Sequence, residues 1–259
     1  MPSSDLSTRI IVQGLRTQVV GANVSYFASL PSTQDEAAAV EDDDPEGAVF
    51  ITDEQTSGRG RNGRHWDAPP GAGLLLSVQL RPSVAVCALL GMIASLAACR
   101  AIEQTTGLAV AIKWPNDLLV NNRKVGGVLV ETEFYGEDPH FTALGVGINV
   151  NWDGIDIPDA PYPVSSLSKE LGQAVSRNQL AIALLNELDR LYLAAGQGES
   201  PYDDWKALVA TLGTKVRVLT PGRFDGTAVD VSADGALVVR AENGDERTFY
   251  AGDVTLHPN

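Results

Sequence analysis

The sequence has few cysteines and no long apolar run, and these shortages exclude several classes of protein. Two cysteines, Cys87 and Cys99, occur in 259 residues, which excludes a small scaffold held together by disulfides. They lie in one Ala- and Leu-rich stretch, about 120° apart around a helix, so we expect buried, reduced thiols. No run reaches the ~20 apolar residues of a membrane-spanning helix, and residues 1–7 are polar, without a following signal-peptide core. We expect a cytoplasmic protein that does not enter a membrane.

Basic residues are also scarce. The chain has 19 Lys and Arg against 33 Asp and Glu, a net charge of −14, whereas surfaces that bind duplex DNA are usually basic. This balance opposes nucleic-acid binding. The arginines between 59 and 64 form a local positive island on an acidic body, which favours a small anion as ligand. The length and the 44% hydrophobic content suffice for one large domain and a small one.

Residues 58–66 read Gly-Arg-Gly-Arg-Asn-Gly-Arg-His-Trp. Glycine lets the backbone approach a ligand closely, and arginine offers a planar set of donors to carboxylates and phosphates. Gly58, Gly60 and Gly63 also match the dinucleotide fingerprint G-x-G-x-x-G, which requires a following helix and an acid about 20 residues later. Residues 67–73 contain two prolines and two glycines, and no acid follows at that distance. We therefore reject a dinucleotide-binding fold.

Two further motifs follow along the chain. The first combines Lys-Trp-Pro-Asn-Asp at residues 113–117 with Arg-Lys-Val-Gly-Gly-Val-Leu-Val-Glu at 123–131. The second is Gly-Val-Gly-Ile-Asn-Val-Asn at 145–151. Together with the loop at 58–66, this set resembles the biotin–protein ligases, enzymes that attach biotin to carboxylase carrier domains. The resemblance runs from about Ser32 to the C-terminus.

The resemblance implies an α+β fold, in which a mixed β-sheet with packed helices, of the class II synthetase-like type, precedes a small SH3-like β-barrel. We predict an N-terminal extension over 1–23, a catalytic biotin- and ATP-binding domain over 24–212, and the SH3-like domain over 213–259. The extension is too short for a helix-turn-helix domain, which needs about three helices. We therefore expect the catalytic-only type of ligase.

Local patterns give the individual elements. Apolar runs and alternation predict strands, and the predicted strands are 24–30, 48–52, 73–80, 110–114, 118–120, 125–134, 142–150, 215–219, 226–231, 236–241 and 246–251. Helices are predicted at 32–40, 85–105, 165–171, 176–193 and 201–212. Ser176 begins a capping box, and Asp234-Gly235 and Asn243-Gly244 predict hairpin turns. The proline-rich stretch 153–163 predicts a loop.

Biotin carries a carboxylate at one end and a cyclic urea at the other. ATP activates the carboxylate, which brings two anions together, so the protein has to offset charge and align the reactants. The resemblance implies that Lys124 bridges the carboxylate and the α-phosphate, with Arg59 and Arg61 beside them. Asp117 either orients Lys124 or holds magnesium or the incoming lysine. These four residues are the predicted catalytic set.

The remaining site residues also follow from the resemblance. On the nucleotide side we predict Arg59, Arg61, Arg64, Trp66, Lys113, Asn116, Lys124 and Asn149. On the biotin side we predict Ser32, Thr33, Gln34, Gln55, Gly58, Arg59, Gly60, Arg61, Lys124, Gly126 and Gly127. Hydroxyls and an amide complement a urea, although Thr33 is also placed to cap a helix. The family usually has Asn where this chain has Gln34. We assign no role to His65 and no residue as a dedicated metal ligand.

Magnesium is implied with ATP, because the phosphates need a counter-charge. The implied partners are biotin, ATP and a biotin carboxyl carrier domain of a biotin-dependent carboxylase, and the chain is expected to be a monomer or a homodimer. A lipoate ligase of the same fold is the nearest alternative, but it would need an apolar slot in place of the urea-binding groups. A DNA-binding biotin sensor is disfavoured by the acidic charge.

Overall fold

The computed structural model describes residues 5–41, 43–153, 163–220, 222–250 and 252–256. Most of the chain before Gly213 forms a seven-stranded sheet with helices. Its strands are β1 (Asn23–Phe27), β2 (Ala48–Thr52), β3 (Gly73–Leu80), β4 (Ala111–Lys113), β5 (Asp117–Val120), β6 (Arg123–Tyr135) and β7 (Asp138–Asn149). The helices are α1 (Thr8–Gly14), α2 (Thr33–Ala38), α3 (Val84–Cys87), α4 (Leu90–Thr106), α5 (Leu167–Leu171), α6 (Arg177–Gly196) and α7 (Tyr202–Ala207).

The sheet is mixed, with the strand order β1-β2-β3-β7-β6-β5-β4. Only β1 and β2 pair in parallel, and the other neighbours are antiparallel. Every residue of β3 is buried, as expected for a central strand covered on both faces. Helices α4 and α6 pack together over the core, whereas α2 packs against β2, β3 and β7. The mixed sheet with packed helices confirms the predicted fold class.

The C-terminal strands form a separate antiparallel sheet, which confirms a small all-β unit after the seven-stranded sheet. Its strands are β8 (Lys215–Thr220), β9 (Gly222–Val231), β10 (Leu237–Arg240), β11 (Glu246–Phe249) and β12 (Asp253–Leu256), in the order β11-β10-β9-β8-β12. Gly235 and Gly244 take positive φ angles of +85° and +91°, as the predicted hairpin turns require. The domain boundaries at 23 and 212 stay predictions.

Several element predictions were wrong in extent. The helix predicted over 85–105 is two helices, α3 and α4, separated at Ala88 and Leu89. The helix predicted over 201–212 ends at Ala207, and the strand predicted over 24–30 ends at Phe27. Helix α1 and strand β12 were not predicted. Residues 154–162, most of the predicted proline-rich loop, lie outside the described residues.

The segment before β1 is fixed on α6 by polar side chains. The buried Asp189 carboxylate accepts from the backbone N–H groups of Gln18, Val19 and Val20 at 2.8–3.0 Å. The guanidinium of Arg177, also buried, pairs with Asp5 and lies 2.7 Å from Asp53. This arrangement ties the N-terminal segment and the end of β2 to one helix. Among the described residues, none of the helices has the length and apolar composition needed to cross a membrane.

Candidate active site

A cavity of about 420 Å³ lies between α2, the loop 58–66, the β6–β7 hairpin and the C-terminal sheet. Such a volume suits a small organic ligand. The fold brings fifteen of the predicted site residues to its walls, namely Ser32, Thr33, Gln34, Gln55, Arg59, Gly60, Arg61, Arg64, Trp66, Lys113, Asn116, Asp117, Lys124, Gly127 and Asn149. The other two, Gly58 and Gly126, do not line it. A Cβ on Gly126 would meet the carbonyl oxygen of Gly147 at 2.8 Å, so this glycine permits close strand packing.

Hydroxyl and amide groups meet at one end of the cavity. The Gln55 Oε1 accepts from Thr33 N at 2.8 Å and lies 3.0 Å from Thr33 Oγ1, and Ser77 Oγ lies 2.8 Å from Thr33 Oγ1. Ser32 is the N-cap of α2, since its side chain accepts from Gln34 N. The expectation that Thr33 could act as this cap is therefore wrong by one residue. The Thr33 hydroxyl is instead directed to Gln55 and Ser77.

The loop 58–66 is shaped by its small residues. Trp66 N donates to Gly58 O at 2.9 Å and Gly60 N to Arg64 O at 2.8 Å, which close the loop into a narrow turn. Asn62 and Gly63 take positive φ angles of +57° and +71°, a region that Asn and Gly tolerate best. A Cβ on Gly58 would lie 2.3 Å from the Trp66 carbonyl oxygen. Gly58 thus allows the loop to close.

Arg59 is held by two carboxylates at the mouth of the cavity. Its Nη1 pairs with Asp35 on α2, and its Nη2 lies 3.0 Å from Glu131 Oε2 on β6. All three side chains are exposed by 40–50%. Neither acid was predicted as a site residue, although Glu131 closes the second motif in the sequence.

Asp117 joins two lysines. The Lys124 Nζ lies 2.5 Å from Asp117 Oδ1, and the Lys113 Nζ lies 3.5 Å from Oδ2. Burial lowers the pKa of Lys113 below its usual value, against the opposing charge of Asp117. Asn121 and Asn122 form the turn between β5 and β6 with positive φ angles of +50° and +59°, and this turn brings Lys124 back beside β5, where its side chain reaches Asp117. The contact agrees with the first of the three roles foreseen for Asp117, and the role itself stays a prediction.

Trp66 lies on a floor made by two glycines that pair across β6 and β7. A Cβ on Gly147 would lie 2.7 Å from the indole ring, and one on Gly127 would lie 3.6 Å from it. The Lys124 Nζ is 5.5 Å from the ring centroid. A side chain at Gly147 would therefore displace the indole.

Two asparagines brace the walls through their amide groups. Asn116 Nδ2 donates to Val128 O at 2.7 Å, and Asn149 Nδ2 donates to Ser165 O at 3.0 Å. These bonds fix the orientation of both side chains. In Asn149 the amide nitrogen Nδ2, and not the oxygen Oδ1, makes the anchoring bond. The structure describes no group of three or more His, Cys, Asp or Glu side chains suited to a metal ion.

The C-terminal sheet completes the cavity, which sequence reasoning missed. Leu219, Val254 and Thr255 line it. Trp114, buried before a cis bond to Pro115, donates from Nε1 to Gly235 O at 2.8 Å and so joins the two sheets. Ser77 was missed as well, although a hydroxyl in a mainly apolar strand was a usable signal.

Comparison with known proteins identifies the family. Residues 24–149 match the model of the biotin/lipoate A/B protein ligase family, and residues 211–256 match the biotin protein ligase C-terminal domain. A biotin–[acetyl-CoA-carboxylase] ligase of Mycobacterium tuberculosis is 33% identical over 93% of this chain and 94% of that protein. This chain belongs to the biotin protein ligase family.

Other family members are similar over comparable lengths. The bifunctional ligase/repressor BirA of Bacillus subtilis is 32% identical over 97% of this chain and 79% of that protein. The solved biotin protein ligase of Aquifex aeolicus in complex with biotin and ATP matches with a TM-score of 0.75 and 25% identity, over 92% of this chain and all of that one. The family relationship therefore covers both the mixed sheet and the C-terminal sheet.

Proposed function

We propose that this chain is an ATP-dependent biotin–protein ligase. It converts biotin and ATP into biotinyl-5'-AMP and then transfers biotin to a lysine of a biotin carboxyl carrier domain. The observation that carries the proposal is one cavity with hydrogen-bonding groups around Thr33 and Gln55 at one end and cationic groups around Lys124 at the other. Biotin has the same polarity, with a urea at one end and a carboxylate at the other.

The hydrogen-bonding end fits the urea. Gln55 uses its Oε1 to accept from Thr33, which leaves its amino group to donate to the urea carbonyl. The hydroxyls of Ser32 and Thr33 can accept from the urea N–H groups. A lipoate ring offers no such donors and acceptors, so this end favours biotin over the lipoate alternative.

The cationic end fits the reaction. A biotin carboxylate oxygen attacks the α-phosphorus, and the bond to pyrophosphate breaks. The amine of the carrier lysine then attacks the acyl carbon, AMP leaves, and the amine gives up a proton. Lys124, with Arg59, Arg61 and Arg64 on the cavity wall, offsets the negative charge that develops when the two anions meet.

Magnesium would bind with ATP on the side of Asn149. The Asp117 carboxylate is engaged by two lysines, whereas the Asn149 Oδ1 is an oxygen donor on the cavity wall. One protein oxygen with phosphate oxygens and water is a usual arrangement for Mg²⁺. The ion would supply counter-charge to the phosphates.

The acceptor is a carrier domain of a biotin-dependent carboxylase, and the protein acts as a monomer or a homodimer. Its net charge of −14 opposes contacts to DNA phosphates, so we expect no duplex binding. A mobility-shift assay at low salt, with and without biotin and ATP, tests this expectation. A shift that strengthens with biotin and ATP would instead support a biotin-responsive DNA-binding protein.

The direct test of the proposed function is adenylate formation. The protein is incubated with ATP, magnesium and labelled biotin, and the products are separated before and after a carrier domain is added. We expect biotinyl-5'-AMP first and labelled carrier second. A parallel incubation with lipoate should give little adenylate. Preferential activation of lipoate, or no adenylate from either acid, would contradict the proposal.

A further inference from the structure

We infer that Gln34 is a positioning residue for adenylation, which acts through Glu131 on Arg59 and thereby couples the urea end of the cavity to its cationic end. The inference rests on the proposed function. Gln34 does not have to touch either reacting group for this role.

The amide of Gln34 is fully engaged below the cavity. The residue is only 3% exposed. Its Nε2 donates to Glu131 Oε2 at 2.9 Å and to Ala143 O at 3.2 Å, and its Oε1 accepts from Ser77 Oγ at 2.8 Å. Any other orientation would leave buried polar groups unpaired, which is costly. Gln34 is therefore held in one orientation.

Glu131 connects Gln34 to Arg59 in the loop 58–66. Its Oε2 accepts both from Gln34 Nε2 and from Arg59 Nη2, at 2.9 and 3.0 Å. The second carboxylate on Arg59 comes from Asp35, the residue after Gln34 on α2. Exposed ion pairs alone hold a side chain weakly. The hydrogen bond from the buried amide of Gln34 is what fixes the carboxylate that meets Arg59.

The network continues in the opposite direction to the predicted urea-binding residues. Ser77 Oγ, whose proton goes to Gln34 Oε1, accepts from Thr33 Oγ1 at 2.8 Å, and the backbone N–H of Thr33 donates to Gln55 Oε1 at 2.8 Å. A chain of hydrogen bonds thus leads from Gln55 to Arg59, and the Gln34 amide is its central link. Hydrogen bonds in such a chain polarise and strengthen one another.

The length of Gln34 is matched to its surroundings. A Cβ on Gly145 would lie 2.9 Å from Gln34 Oε1, so the glycine provides the space that the longer amide fills. Asparagine is one methylene shorter and cannot reach Ser77 and Glu131 together from the same backbone position. Gln34→Asn is therefore the conservative substitution that breaks the link and keeps the amide.

The test compares Gln34→Asn, Glu131→Gln, the double variant and the control Glu133→Gln. Glu133 lies two residues beyond Glu131 on β6, is exposed and has no ion pair in the described structure. The rate of adenylate formation and the KM for biotin are measured for each. We expect each single variant to lose about tenfold in kcat, with the KM within about threefold of wild type, and the double variant to lose no more than either single one. The control should match wild type.

The other outcomes oppose the inference. Multiplicative losses would mean that the two residues act separately, and a raised KM with normal kcat would make Gln34 a direct biotin contact. A faster Glu131→Gln enzyme would mean that Glu131 competes with the substrate for Arg59.

An inactive wild-type enzyme would instead contradict the proposed function. In that case the side-chain NMR resonance of Arg59 still tests the inference. We expect its chemical shift to change similarly in Gln34→Asn and Glu131→Gln but not in Glu133→Gln. An unchanged chemical shift would overturn the inference.

Discussion

The ammonium nitrogen of Lys124 lies 2.5 Å from Oδ1 of Asp117, and both side chains face the same cavity. The carboxylate restrains the flexible lysine stem where the biotin carboxylate and the α-phosphate would meet. We predict that Lys124→Ala reduces adenylate formation by at least about a thousandfold, because it removes charge stabilisation that acts in the transition state. Labelled biotin with ATP and magnesium provides the measurement.

The matched control for that variant is Lys169→Ala, which removes an exposed lysine from α5. It should keep wild-type activity. Near-normal adenylation by folded Lys124→Ala would remove Lys124 from the mechanism.

Gln55 allows a sharper test of urea recognition than simple truncation. Gln55→Glu keeps the acceptor for Thr33 but replaces the amino group that would donate to the urea carbonyl. We predict that the KM for biotin rises at least about tenfold, because an unpaired polar group in a hydrogen-bonding site is strongly unfavourable. An unchanged KM, measured by adenylate formation over a range of biotin concentrations, would place the urea elsewhere.

The glycine-rich loop should become more ordered on binding. Fixing a glycine backbone costs more conformational entropy than fixing other residues, and ligand contacts to Arg59 and Arg61 would offset that cost. We predict increased amide-exchange protection over 58–66 when biotinyl-adenylate binds. Helix α6, which is remote from the cavity lining, serves as the internal reference. Equal protection of the loop with and without ligand would contradict the prediction.

Arg177 should contribute more to the free energy of unfolding than an exposed arginine does. Its side chain is 2% exposed and pairs with Asp5 and Asp53, so Arg177→Met leaves a largely buried carboxylate without its cation. We predict a loss of about 3 kcal/mol in the free energy of unfolding. Arg240→Ala, which breaks an exposed pair with Glu246, should change it by less than about 1 kcal/mol. Denaturant unfolding distinguishes the two, and similar effects would argue against the buried network.

Cys99 should be inert in the folded protein. Burial raises the pKa of its thiol to about 12, so that the reactive thiolate is scarce near pH 8. In Cys87→Ser, a disulfide reagent should label Cys99 only after unfolding. Since the folded pKa is the higher one, unfolding releases this proton above about pH 9, the ordinary pKa, and the stability from this group falls as pH rises towards 12. Rapid labelling of the native variant would contradict both statements.

The sequence predicted the parts of the structure that are specified locally. Apolar runs identified β2 and β3 with their observed bounds, and the Ser176 capping box identified the start of α6. The three motifs supplied most of the cavity lining, because each contributes several adjacent residues. The family resemblance, not periodicity, related those motifs to biotin and ATP.

The missed features depend on tertiary contacts. The break between α3 and α4 has no proline, and α1 is held by contacts with α6. Glu131 and Asp35 gain meaning only because folding brings both to Arg59, 72 and 24 residues away along the chain. The sequence did not indicate that Leu219 and Val254 would reach the cavity, since their own strands belong to another sheet.

Because the hydrogen bond from Trp114 to Gly235 holds the two sheets together, the active site depends on both the mixed sheet and the C-terminal sheet. Trp114 immediately precedes Pro115, Asn116 and Asp117, and the sheet that it anchors supplies part of the cavity wall. Chimeras that join the mixed sheet of this protein to the C-terminal sheet of a relative should therefore inherit a mismatched cavity wall, even where both halves fold. Recombination between family members is thus expected to preserve function only when the residues on both sides of this contact between the two sheets are exchanged together.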